Sequence, residues 1–214
     1  MALNANKAVV LMSGGLDSTV LGYWAIANGY HIQPLFIDYG QHCAEHELAT
    51  LKRLLPEESA APVAIVTMRG VYERAHSCLI HEANLWTDSV TSEDLYLPYR
   101  NMLLLSTGVA HAAANGTGTV FAGFINSNHA LEIDATFAFL ERTRQLAAQI
   151  GDVQLELPFR AFDKSRVAQI GNQLGIPIAE TFSCQINSNA HCGACPNCVD
   201  RLTALRALRH DRSY

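Results

Sequence analysis

The stretch KAVVLMSGGLDSTVLGYWAIANG, residues 7–29, sets the architecture. Lys7–Met12 is a short apolar run that stops at Ser13-Gly14-Gly15, the pattern of a buried strand entering a loop. Ser18–Asn28 has helical periodicity, and Gly29 falls where a helix closes on a glycine. A glycine loop between a strand and a helix is a place to grip phosphate. Gly14 and Gly15 let the backbone approach a ligand and turn N–H groups toward it. The helix N-terminus adds partial positive charge, and Ser13 and Ser18 offer hydroxyl donors. Asp17 would repel a phosphate unless it binds a cation, which points to Mg²⁺ bridging to a nucleotide. The loop is neither a Walker A (Gly-x4-Gly-Lys-Ser/Thr) nor the dinucleotide-binding Gly-x-Gly-x-x-Gly. The plain alternative for the same residues is a strand–turn–helix junction with an ordinary Asp/Ser cap.

Outward from this unit the alternation continues. Strands are expected at His31–Asp38, Val63–Met68, Thr119–Phe124 and Val153–Leu157. Helices are expected at Glu45–Leu55, Pro98–Ala114, Asp134–Ile150, Asp163–Leu174 and about Pro196–His210. Residues 69–96 read as a long irregular excursion. Such alternation predicts an α/β fold with a parallel sheet covered on both faces. Ligands then sit at the carboxyl ends of strands, in the loops after Met12, Asp38 and Gly123. The 214 residues are 49% hydrophobic and 16% charged, which excludes a disordered chain. No apolar run approaches the ~20 residues of a membrane span, and the N-terminus has no secretory pattern, so a cytoplasmic protein is expected. The net charge of −5 disfavours nucleic acid as a partner. The basic run Arg201, Arg206, Arg209 and Arg212 reads as a solvated helix face.

Six cysteines without an export signal point to metal or catalysis rather than disulfides. Cys184, Cys192, Cys195 and Cys198 form C-x7-C-x2-C-x2-C among loop residues, spacing that lets four sulfurs converge. With every position filled, the site is closed and structural. Zinc is the favoured occupant, and an iron–sulfur cluster is the competing one. Cys43 and Cys78 are expected to be unliganded.

Ser13-Gly-Gly-Leu-Asp-Ser18, in this context, resembles the pyrophosphate-binding PP-loop of the N-type ATP pyrophosphatases. Joined to the four-cysteine knuckle, it resembles the 7-cyano-7-deazaguanine synthase family. Further matches are Tyr39-Gly40-Gln41 with Glu45, Leu97-Pro98-Tyr99-Arg100-Asn101, Lys164, Leu174-Gly175 and Thr181–Cys184. The resemblance implies an adenine nucleotide alpha hydrolase-like sheet over 1–179 and a zinc-binding helical appendage over 180–214. It implies ATP bound by Ser13, Gly14, Gly15, Leu16, Asp17, Ser18 and Thr19. Asp17, Lys164 and Arg100 would be catalytic. Tyr39, Gln41, Arg100, Asn101, His129, Glu132 and Asp134 would hold the substrate. The implied reaction turns a carboxylate into a nitrile through adenylation, with ammonia and two ATP, Mg²⁺ assisting, in a possible homodimer.

Two departures bear on the acid. The family carries an Asp and then Ser-Gly-Tyr-Pro-Asp-Cys-Arg after the fourth strand. Here Gly123–Phe137 keeps Asp134 in register with the second Asp, puts Asn128 where the first would be, and lacks the Tyr-Pro and Cys-Arg pairs. The family's Pro-Gly-Arg-Asn becomes Pro98-Tyr99-Arg100-Asn101. A relative with the same AMP-forming chemistry on another acid is therefore the alternative, and a tRNA-thiolating enzyme a more distant one.

Overall fold

The computed structural model describes residues 4–56, 61–84, 88, 90, 91, 93–125 and 134–210. Strands β1 (Asn4–Leu11), β2 (His31–Asp38), β3 (Ala64–Thr67), β4 (Thr117–Phe121) and β5 (Gln154–Glu156) form one sheet. All pairings are parallel, in the order β3-β2-β1-β4-β5. Helices α1 (Leu16–Ala27), α2 (Ala44–Leu54), α3 (Arg100–Ala114), α4 (Phe137–Ile150), α5 (Lys164–Gln173) and α6 (Pro196–His210) complete it. Every expected element is present, with ends shifted by a few residues.

β1 is apolar at successive positions because both its faces are covered. Ala8, Val10 and Met12 pack on one side with Val20 of α1, Leu51 of α2, Val167 of α5 and Ala204 of α6. Val9 packs on the other with Leu105 of α3 and Leu140 of α4. Pro34, which cannot donate to a ladder, pairs with Val10 on one side and stands one residue before β3 joins on the other.

A third cluster unites the 69–96 excursion (Tyr72, Leu79, Leu95) and Leu97 with Phe182, Ile186 and the buried cysteines. The described residues of the excursion are therefore packed structure with apolar side chains turned into this cluster. The C-terminal unit also shares the main core, since Ala204, Leu205 and Leu208 sit with the α1 and α5 side chains. Arg201 departs from the expected solvated face. It is 4% exposed and donates to the carbonyls of Ile178 (3.1 Å) and Ala179 (2.8 Å) and to the Thr181 hydroxyl. A guanidinium supplies enough donors to satisfy these acceptors at once, which pins α6 to the segment after α5. Among the described residues no helix is long and apolar enough to cross a membrane.

Candidate active site

β1 and β4 neighbour each other while the chain order reverses about them, and the crevice at such a switch point is where open α/β sheets bind ligands. The cleft found there has two connected lobes of about 280 and 220 Å³. Asp17, Lys164, Arg100 and Asn101 line both.

The loop after β1 is built around one obligatory glycine. Gly14 has φ +77°, and a Cβ there would stand 2.6 Å from the Glu47 carbonyl oxygen and 2.9 Å from the Leu51 nitrogen. Both are backbone atoms of α2 and cannot swing away. Ser13 N donates to Ser18 Oγ at 3.2 Å, Gly15 N to Ser13 Oγ at 3.4 Å, and Ser18 Oγ to the Gly15 carbonyl at 3.2 Å. Gly15 caps α1 without a side-chain bond. Ser13, Gly15, Leu16, Asp17 and Ser18 face the cleft. Gly14 does not line it and instead shapes the loop, and Thr19 is 1% exposed, within the body.

Lys164 opens α5, where the helix field disfavours a cation. Asp17 compensates: its Oδ2 lies 3.0 Å from Lys164 Nζ, with the side chains 22% and 12% exposed respectively. The other oxygen, Oδ1, is buried with no partner among the described residues. A carboxylate at the cleft wall with one oxygen on a lysine and the other without a donor suits a divalent cation shared with phosphate. Gly123, after β4, completes the wall; a Cβ there would touch the Asp17 backbone at 3.4 Å.

Arg100 begins α3, and Asp134 fixes that helix end. The Asp134 carboxylate accepts from Asn101 N at 3.1 Å, and Asn101 Nδ2 donates to the Asp134 carbonyl at 3.1 Å. Both residues are 5% exposed. Asp134 lies behind Asn101 and does not line the cleft. His129 and Glu132, expected beside the substrate, and Asn128 lie outside the described residues. Tyr99, the ring that replaces a family glycine, is 73% exposed and lines neither lobe.

Burial pushes the Tyr39 phenol up, with the nearby Arg100 guanidinium partly opposing. Gln41 is 4% exposed and braces the loop after β2: its Oε1 accepts from Tyr39 N at 3.0 Å and its Nε2 donates to Glu47 at 3.0 Å. Glu47 itself lines the cleft, whereas Glu45 is exposed. In the smaller lobe the wall comes from the C-terminal unit, with Gln185, Asn197 and Asp200. The sequence pattern gives no signal for Glu47, Gln185, Asn197 or Asp200, since each depends on which face of a loop or helix turns inward.

The Sγ atoms of Cys184, Cys192, Cys195 and Cys198 lie within 4.8 Å of one another. Tetrahedral thiolates bound at ~2.3 Å would sit ~3.8 Å apart, and the Cys192 and Cys198 sulfurs are 3.9 Å apart. Backbone N–H groups already point at sulfur, Asn187 N to Cys184 at 3.3 Å and Cys195 N to Cys192 at 3.2 Å. Such donors stabilise thiolate ligands. The Cys195 thiol, with backbone amides, holds the Cys184 thiol well below the ordinary thiol range. The residues present fit one closed four-sulfur metal site. Cys43 and Cys78 stand outside it.

The comparisons agree with this geometry. The chain is 30% identical over 208 residues to 7-cyano-7-deazaguanine synthase 1 of Desulfitobacterium hafniense (strain Y51), covering 95% of this chain and 93% of that protein. It is 32% identical over 211 residues to 7-cyano-7-deazaguanine synthase of Haloarcula marismortui, covering 94% and 91%. A crystal structure of a 4-thiouridine synthetase–RNA complex with bound ATP shares the fold at TM-score 0.53 and 17% identity, over 95% of this chain and 52% of that one. The family described as queuosine biosynthesis protein QueC matches residues 7–209. A loop, cleft and sulfur cluster built by the two ends of the chain thus accompany a match that runs from β1 to α6, and the chain belongs to the QueC family.

Proposed function

We propose that the chain is an ATP-dependent ligase that converts 7-carboxy-7-deazaguanine to 7-cyano-7-deazaguanine. The names of its relatives support the substrate. The observation that carries the chemistry is the Asp17–Lys164 pair, 3.0 Å apart, facing the same cleft as Arg100. A carboxylate is a poor electrophile until one oxygen becomes a leaving group. In the first half-reaction the acid oxygen attacks the α-phosphorus and pyrophosphate leaves. Ammonia then displaces AMP to give the amide. A second ATP activates the amide oxygen, and loss of AMP with the remaining N–H protons leaves the nitrile.

In this reading the Ser13–Ser18 loop and Lys164 hold the phosphates, and Lys164 offsets charge developing on the departing pyrophosphate. Mg²⁺ fits at the free Oδ1 of Asp17, where it would neutralise the same phosphates. Arg100, which stands beside the Tyr39 phenol in the cleft, pairs with the carboxylate. Asp134 orients this helix start through Asn101. Zinc in the knuckle is structural, since four thiolates leave no open position. A homodimer in the cytoplasm is part of the same proposal.

The test is pyrophosphate release with ammonia and 7-carboxy-7-deazaguanine, with mass detection of the nitrile. Asp17→Ala should abolish release, and full activity in that variant would refute the phosphate site. The replaced residues of Gly123–Phe137 favour one second reading, the same chemistry on another acid. Pyrophosphate release only with a different carboxylic acid would establish it.

A further inference from the structure

Glu45 and Glu47 both occupy the first turn of α2. Residues two apart on a helix are rotated by about 200°, so the two carboxylates point to opposite sides. Glu45 faces solvent; Glu47 is half-buried and lines the larger lobe with Tyr39, Gln41 and Arg100. Its backbone is packed against the phosphate loop, because the Glu47 carbonyl is the atom a Gly14 Cβ would strike. Gln41 donates to its carboxylate at 3.0 Å, and the Cys43 thiol stands beside it. Among the described residues no cation pairs with Glu47 within 4.0 Å. A cleft-facing carboxylate braced by a neutral donor, with Arg100 in the same lobe but no cation bound to it within 4.0 Å, is arranged to receive a proton.

The proposed reaction supplies that proton. At neutral pH ammonia is present as ammonium, which has no lone pair with which to attack. We propose that Glu47 is the general base that takes a proton from ammonium in the cleft and so releases ammonia for attack on the adenylated acid. This rests on the reading given under Proposed function. One N–H bond breaks and the proton moves to the Glu47 carboxylate. The freed lone pair forms the C–N bond, the C–O bond to AMP breaks, and the attacking nitrogen then loses a second proton to solvent as the amide forms. Desolvation raises the Glu47 carboxyl to about 7, with Gln41, Cys43 and Arg100 opposing and Asp38 reinforcing. Acceptor and donor forms are thus both accessible near neutrality, where a general base is most effective. The titratable groups facing Glu47 are Asp38, Tyr39, Cys43 and Arg100. Burial pushes both the Tyr39 phenol and the Cys43 thiol upward, so neither competes for the proton in this range.

The test compares ammonia with hydroxylamine, which is unprotonated at neutral pH and needs no base before it attacks. Glu47→Gln keeps an oxygen to accept from Gln41, so the loop stays braced. The ammonia-dependent rate should fall by about 10²–10⁴-fold, and the ratio of ammonia- to hydroxylamine-dependent rates by at least about 100-fold. Raising the pH should restore ammonia-dependent activity to the variant as free ammonia accumulates. Glu47→Asp, which keeps the carboxylate on a shorter arm, should give an intermediate ratio. Equal losses with both nucleophiles, or an Asp variant no better than the Gln variant, would overturn the role of Glu47. Failure of the wild-type chain to release pyrophosphate with the acid would overturn the underlying reading instead, and the two failures are told apart by the wild-type control.

Discussion

Tyr99 is the sharpest conformational anomaly of the backbone: φ is +59°, among the described residues the only non-glycine positive value. An L-residue in the left-handed region pays about 1–2 kcal/mol in contacts between Cβ and its own carbonyl. The ring recovers little of this, because it is 73% exposed. Tyr99→Gly removes the strain but returns about 0.4–1 kcal/mol to the unfolded chain as backbone freedom. The net expectation is a stabilisation of about 0.5–1 kcal/mol. Tyr99→Ala keeps a Cβ and therefore the strain, so it should be neutral or slightly destabilising. For a chain of this size each kcal/mol moves Tm by about 2–4 °C, so the Gly variant should melt about 1–4 °C above the Ala variant. Zinc-loaded proteins are compared by thermal melting and urea denaturation at one protein concentration. Because the turn is held independently by Tyr72 OH donating to the Pro98 carbonyl at 2.8 Å, neither variant should alter KM for the acid. Equal melting of the two variants would refute a left-handed Tyr99, and a changed KM would refute its placement outside the cleft.

Gly14→Ala should cost more than about 3 kcal/mol and abolish ATP-dependent pyrophosphate release, combining left-handed strain with a clash against α2 backbone. Gly14→Asn, which tolerates the conformation, should not rescue it, whereas rescue would assign the cost to φ alone. Chelation should release one zinc per chain, expose four thiols to titration and lower Tm, because the buried sulfurs join the third core cluster. Iron with visible absorbance would replace zinc in that site. The Glu47 carboxyl, raised from 4.5 to about 7 by burial, makes folding pH-dependent. Stability is full below the unfolded value and falls as pH rises through about 7, by at most about 3.5 kcal/mol at ~1.4 kcal/mol per unit. Glu47→Gln should therefore gain on wild type in Tm with rising pH, and a pH-independent difference would contradict the burial.

What was legible in the sequence follows from where each feature is stored. β1 and its loop are local: an apolar run, two glycines and a helix fix strand, turn and α1 without help from elsewhere. The knuckle is local too, since short spacers alone bring its sulfurs together. The cleft is not local, because its walls come from β1, β2, α1, α2, α3, α5, α6 and the loop after β4. Asp134 keeps sequence register with a family acid yet spends its carboxylate on Asn101, a fact visible only when α3 and the turn before α4 meet. The pair on α2 shows the limit most clearly. Matching the chain to its family beside Tyr39-Gly40-Gln41 selects Glu45, while helical rotation turns Glu45 outward and Glu47 inward. The consequence is a prediction with a definite sign. Glu45 makes no ion pair among the described residues and lines neither lobe. Its one favourable role is its charge in the first turn of α2, worth about 0.3–1 kcal/mol. Glu45→Gln should thus lower stability by no more than that, more at low salt than at high, and leave the ratio of ammonia- to hydroxylamine-dependent rates unchanged. If Glu45→Gln and Glu47→Gln depressed that ratio alike, the helix would be rotated from the position described, and the assignment of Glu47 would fail with it.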